Sequence, residues 1–164
     1  MTVVSVQKDA EALTLTVVAE FGAGTERVWR VWEDPRQLER WWGPPTWPAT
    51  FERHDFKVGG ESRYYMTGPQ GEKAHGWWRI TTIDEPHRLE VDDGFADDNG
   101  EPLDANDTTH MVITIEDGGA GTRMTVLTRF TSLAQMEKHV AMGMEEGIRL
   151  AVGQLDELLS GASA

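Results

Sequence analysis

The chain has no cysteine among its 164 residues. That removes disulfides, thiol nucleophiles and every zinc site built on thiolates. Basic residues are scarce: 15 Lys and Arg stand against 28 Asp and Glu, a formal net charge of −13. Such a charge repels phosphate backbones and anionic lipid surfaces, and no concentrated basic patch offsets it, so no nucleic-acid partner is expected. No apolar run approaches the roughly 20 residues of a membrane-spanning helix, so no membrane insertion is expected. The N-terminal stretch MTVVSVQKDAEAL has neither a basic start nor a long apolar segment, unlike a signal peptide, and a cytoplasmic location is expected. The length predicts one domain, 1–164, able to bury its core without a covalent staple.

Catalytic signatures are equally sparse. No serine sits in a G-x-S-x-G elbow. The histidines His54, His75, His87, His110 and His139 show neither H-x-H nor H-E-x-x-H spacing. Gly118-Gly119-Ala120-Gly121 reads as a hairpin turn and not as a phosphate loop. No catalytic residue, metal ligand set or cofactor is therefore assigned.

What is present begins with Glu39-Arg40-Trp41-Trp42-Gly43-Pro44-Pro45-Thr46-Trp47-Pro48. Proline lacks the N–H and pushes the residue before it out of the α region, so a short helix must end here. Large rings at its exit either plug a core or line the mouth of a pocket. Upstream, Leu13, Leu15, Val17, Ala19 and Phe21 alternate as one face of a half-buried strand. Thr25 is read as an N-cap with Glu26 in the first turn, opening a helix that carries Val28, Trp29, Val31 and Trp32. Asp34-Pro35 opens a second short helix as N-cap and first-turn proline.

Residues 49–130 read as strands and turns. Strands are expected over 50–55, 62–67, 74–83, 88–91, 109–116 and 123–130, and such hairpin-linked strands imply an antiparallel sheet. Between them, residues 92–107 read as an acidic loop insertion, tethered by Phe95 and Leu103 as a flap. Its register rejects a calcium loop: with Gly100 at loop position six, Phe95 and Asn106 occupy positions one and twelve. The last element is one long helix opened by a capping box at Ser132–Gln135, with Met136, Val140, Met144, Ile148, Ala151, Leu155 and Leu158 in one stripe. A single antiparallel sheet has one apolar face to cover, and this helix is the element able to cover it.

The resulting order resembles a known family over nearly the whole chain. Asp34-Pro35 through Trp41-Trp42-Gly43-Pro44 is similar to the D-P-x-x-L-x-x-W-W-G-P stretch of the activator-of-heat-shock-protein-90-ATPase C-terminal-domain-like family, in the START-like (SRPBCC, helix-grip) superfamily. Thr25–Trp29, Val58-Gly59-Gly60 with Met66–Gly71, Glu85–Leu89, Gly121–Thr125, Met144–Ile148 and Gln154–Leu159 resemble further family segments. The resemblance implies an α+β helix-grip fold: a curved antiparallel sheet of about six to seven strands around a long C-terminal helix, with two short helices after the first strand. It also implies a cavity between sheet and helix.

Seven Met and seven Trp are a large soft and aromatic supply, suited equally to a core and to an adaptable pocket. Gly143 and Gly147 on the covering helix leave space or permit close packing. Trp78, with Ile80, is expected inward; Trp77, beside Arg79, is expected outward, where it marks a possible homodimer contact. The favoured function is binding of a small apolar or amphipathic molecule, lined by Trp41, Trp42, Phe51, Tyr64, Met66, Trp78, Phe95, Met111, Met124 and Met144. Two alternatives stand beside it. One is a cyclase/dehydratase-type enzyme using His110, His139, Glu145 or Tyr64 as acid–base in the same cavity. The other is a chaperone-associated interaction domain.

Overall fold

The computed structural model describes residues 3–104, 107–118 and 121–160. Eight strands form one antiparallel sheet. They are β1 (Val3–Asp9), β2 (Thr14–Phe21), β3 (Ala49–His54), β4 (Glu61–Thr67), β5 (Lys73–Asp84), β6 (Arg88–Phe95), β7 (Thr109–Gly118) and β8 (Gly121–Arg129), in the order β1-β2-β8-β7-β6-β5-β4-β3. Helices α1 (Thr25–Glu33) and α2 (Pro35–Trp41) follow β2. Helices α3 (Leu133–Ala141), α4 (Met144–Gly153) and α5 (Leu155–Ser160) close the chain. The architecture is the expected α+β grip, with two additions. β1 pairs with β2 and extends the sheet to eight strands. The acidic segment is shorter than 92–107, because 92–95 belong to β6 and pair with β5 and β7; residues 105 and 106 lie outside the described residues.

Local chemistry sets the joints. Residues alternate along β2, with Leu15, Val17, Ala19 and Phe21 buried and their neighbours half-exposed, as a period of two requires. The N-cap of α1 is Gly24 and not Thr25, and no side chain caps it. Asp34 caps α2 as expected: its Oδ1 accepts from the Arg36 N–H at 2.9 Å, with Pro35 in the first turn. Ser132 accepts from the Gln135 N–H, and the Gln135 side chain returns to the Thr131 N–H, one residue outside the usual capping box.

The C-terminal segment is jointed, not one continuous helix. Gly143 adopts φ +87° between α3 and α4, a left-handed conformation that glycine enters without a Cβ penalty. Burial along the stripe is uneven. Met136, Ala151, Leu155 and Leu158 are buried, while Val140, Met144 and Ile148 between them are only half-buried. The roof therefore seals at its two ends and gapes in the middle.

The inner face of the sheet packs on α1 and α2 through an aromatic cluster. Trp32 meets Trp41 edge-on at 4.7 Å between ring centroids, Trp41 meets Trp42 at 5.5 Å, and Trp42 meets Trp78 at 4.9 Å. Trp78 and Ile80 are fully buried, whereas Arg79 and the half-buried Trp77 face outward. Gly43 is required behind Trp42, because a Cβ there would fall 2.1 Å from the Trp47 carbonyl oxygen. The Gln154 side chain then donates to the Gly43 carbonyl at 2.7 Å, tying the α4–α5 joint to the Trp-Trp-Gly-Pro turn.

Candidate functional site

Helix α4 leans on β1 and β2, and α5 on α2. Between α3 and α4 on one side and the ends of β4–β7 not packed by α1 and α2 on the other, a cavity of about 310 Å³ opens. Its sheet side is formed by Tyr64, Met66, Gly76, Asp93, Phe95 and Met111. Its roof comes from His139, Met142, Met144, Gly147 and Ile148, and Trp42 with Pro44 forms one wall. A Cβ built on Gly147 meets no atom within 4 Å, so the space under α4 is open.

Each polar group enters this apolar chamber for a local reason. Tyr64 projects inward by strand alternation, stacks on Phe51 at 4.9 Å, and lies over Gly76. Burial and the nearby Asp93 charge push the Tyr64 phenol well above its ordinary range. The indole N–H groups of Trp42 and Trp78 lie beside the Tyr64 hydroxyl, yet neither reaches hydrogen-bond geometry with a protein acceptor. Buried donors are nearly always paired, so these two are unusual.

Asp93 lies on the inward face of β6 in register with Thr109, whose hydroxyl donates to its carboxylate. Its residual accessible surface faces the cavity. Burial pushes its carboxyl up to about 6; the Thr109 hydrogen bond and the nearby His139 oppose that shift. His139 stacks on Phe95, centroids 5.6 Å apart and planes 17° off parallel, and its Nε2 lies 3.3 Å from Asp107 Oδ1. Asp107 also accepts from Lys138 at 2.8 Å and from Gln135 at 2.9 Å. Those donors hold its carboxyl down at about 2 and clasp the start of β7 to α3.

Six of the ten proposed lining residues border this space: Trp42, Tyr64, Met66, Phe95, Met111 and Met144. The other four stand behind it. Trp41 donates its indole N–H to the Val31 carbonyl under Trp32. Phe51 and Trp78 back Tyr64 and Trp42. Met124 lies on β8 with its sulfur 3.3 Å from the Trp32 indole nitrogen, inside the core.

The acid–base candidates divide in the same way. His110 points to the outer face, bridged by Asp92 at 2.7 Å and Glu90 at 2.8 Å. Burial works to lower its pKa, but these two partners outweigh it and raise it. Glu145 pairs with Lys8 at 3.2 Å. His139 and Tyr64 remain in the cavity. Asp93 was not among the candidates, because the β6 strand was expected to stop at Val91. Extending the alternation Leu89, Val91 by one more step would have put Asp93 inward with them. Among the described residues, no three His, Asp or Glu side chains converge as metal ligands, and no helix is long and apolar enough to cross a membrane.

A single antiparallel sheet gripping a C-terminal helical segment, with a chamber between them, defines a helix-grip protein of the START-like kind. The chain belongs to the family described as Activator of Hsp90 ATPase homolog 1-like protein, whose model matches residues 23–160. It is similar to a protein from Arthrobacter aurescens whose solution NMR structure is known: 60% identity, 97% of this chain and 92% of that one, TM-score 0.92. It is similar also to protein Ms6760 from Mycobacterium smegmatis, with 43% identity, 96% and 98% coverage, and TM-score 0.88. Protein NE0264 from Nitrosomonas europaea shares 28% identity over 92% of this chain and 96% of that one, with TM-score 0.79. Among curated proteins, no relative was found.

Proposed function

We propose that this protein binds a small, largely apolar molecule in the chamber beneath α4. The observation that carries this reading is the open space under Gly147, walled by Trp42, Phe95 and methionine side chains. An apolar pocket with few convergent polar groups is the usual form of a small-molecule site. Methionine thioethers adapt to irregular ligands better than branched aliphatics do. Asp93 supplies the polar end that orients an amphipathic molecule.

A side chain at position 147 starts in open space at its Cβ, and a leucine there would fill part of the chamber. Gly147→Leu is expected to weaken binding of a hydrophobic fluorescent probe by about tenfold while keeping the unfolding midpoint. Equal binding by parent and variant would place the probe elsewhere and defeat the reading.

A second reading draws on Asp93. A carboxyl held near 6 inside an apolar chamber is matched to proton transfer at neutral pH, which favours the cyclase/dehydratase alternative. In that case Asp93, with Tyr64 near it on the same sheet face, would be the acid–base pair in place of His110 or Glu145. Proton exchange into a bound enolisable ketone, abolished by Asp93→Asn, would support it; unchanged exchange in that variant would remove it.

A further inference from the structure

The ionisable groups around the chamber are unequal in a way that points to the head group of its ligand. Among the described residues no lysine or arginine lines it, Asp93 is its one carboxylate, and His75 and His139 are its bases. Both histidines are already engaged with other carboxylates. His139 lies 3.3 Å from Asp107, and His75 lies 3.8 Å from Asp98. Asp93 is not so occupied. Among the described residues its one hydrogen-bond donor is the Thr109 hydroxyl. An ionised carboxylate has about four acceptor positions, so this one, which lines the chamber, keeps capacity for a further donor. Burying such a charge without a partner is costly, and a bound cation would remove that cost.

The walls suit the same occupant. Trp42 borders the chamber with aromatic surface that attracts a desolvated cation, and the thioether sulfurs of Met66, Met111 and Met144 are polarisable. A carboxylate-headed molecule would instead meet Asp93 as a like charge. The overall charge of −13 draws cations towards the protein and repels anions. Resting on the binding function proposed above, we propose that the ligand is a hydrophobic amine, and that Asp93 is the counter-ion that selects it.

Acid should then weaken amine binding selectively. Burial holds the empty-site Asp93 carboxyl near 6, so a proton competes with the amine below that value. The groups facing Asp93 are Thr109 from β7, Tyr64 from β4 and His139 from α3, with Asp92 and His110 acting from the outer side of the sheet. A histidine also gains charge in acid and would repel the amine in the same direction. His75→Gln and His139→Gln are therefore the controls, and the pH dependence should persist in both.

The experiment compares octylamine, octanol and octanoate by calorimetry at neutral pH, against the parent and Asp93→Asn. Octylamine should bind tightest and octanoate weakest. Asp93→Asn should lower octylamine affinity by about tenfold more than it lowers octanol affinity, since a charge-assisted hydrogen bond is lost from the first alone. Octanoate binding as tightly as octylamine, or octylamine indifferent to Asp93→Asn, would overturn the amine assignment while octanol binding kept the chamber as a site. Failure of all three to bind would overturn both. If Asp93→Asn does not fold, the parent's pH series decides. Octylamine affinity must fall through about pH 6 while octanol affinity holds, and parallel behaviour of the two would refute the proposal.

Discussion

The Tyr64 ring lies across Gly76 of the neighbouring strand: a Cβ at position 76 would fall 2.5 Å from both Cζ and Oη of the tyrosine. The missing side chain lets the phenol lean over β5 towards the β6 carboxylate of Asp93, whose charge helps raise its pKa. Gly76→Ala should force the ring off the sheet and into the chamber. Overpacking of this kind costs about 1–3 kcal/mol, read as a lowered denaturant midpoint, and probe binding should fall with it. An unchanged midpoint with unchanged binding would show that Tyr64 has room to move aside.

Asp93 gives the stability a pH dependence with a defined sign. Its carboxyl is raised from 3.8 to about 6 in the folded state, so the folded protein holds a proton that the unfolded chain releases. That contribution is present below about pH 4 and is lost as pH rises through about 6. Asp93→Asn lacks the effect. Its stability relative to the parent should therefore rise between about pH 4 and about pH 7, by up to about 3 kcal/mol. Asp107, held down at about 2, pulls the opposite way in both proteins and cancels in the difference. Parallel pH–stability curves for the two proteins would contradict the burial of Asp93.

The two glycines of the roof should respond oppositely to alanine. Gly143, at φ +87°, forms the α3–α4 joint, and a Cβ there costs about 1 kcal/mol through backbone strain. Gly147 is interior to α4 with open space at its Cβ, so alanine should stabilise by up to about 1 kcal/mol through helix propensity. Thermal unfolding of the two variants checks both signs.

How far the residues announced this arrangement depends on which periodicity was followed. The Trp-Trp-Gly-Pro exit of α2 was legible because proline chemistry is local. The alternation in β2 and the inward choice of Trp78 over Trp77 were legible for the same reason, since neighbouring strand residues must face opposite ways. The joint at Gly143 was not, because the apolar stripe from Met136 to Leu158 continues through it, and only tertiary context decides whether a helix glycine bends. Met124 was assigned to the pocket as a soft residue on a central strand. Its side chain serves the core because Trp32 of α1 lies over it, and sequence spacing does not reveal which helix covers which strand. The sequence shows no marked alternation in β1, and the acidic run after Val91 reads as loop although its first four residues complete β6.

The chamber beneath α4 is tested most directly by the methionine methyl groups, which report position by position. Methyl NMR spectra recorded while octanol is added should show the signals of Met66, Met111, Met142 and Met144 moving, because these four line the chamber. Met124, buried in the core against Trp32, should stay in place. Movement of those four with Met124 stationary is the predicted result; stationary signals throughout, or a shift confined to Met124, would contradict a ligand chamber at this place in the fold.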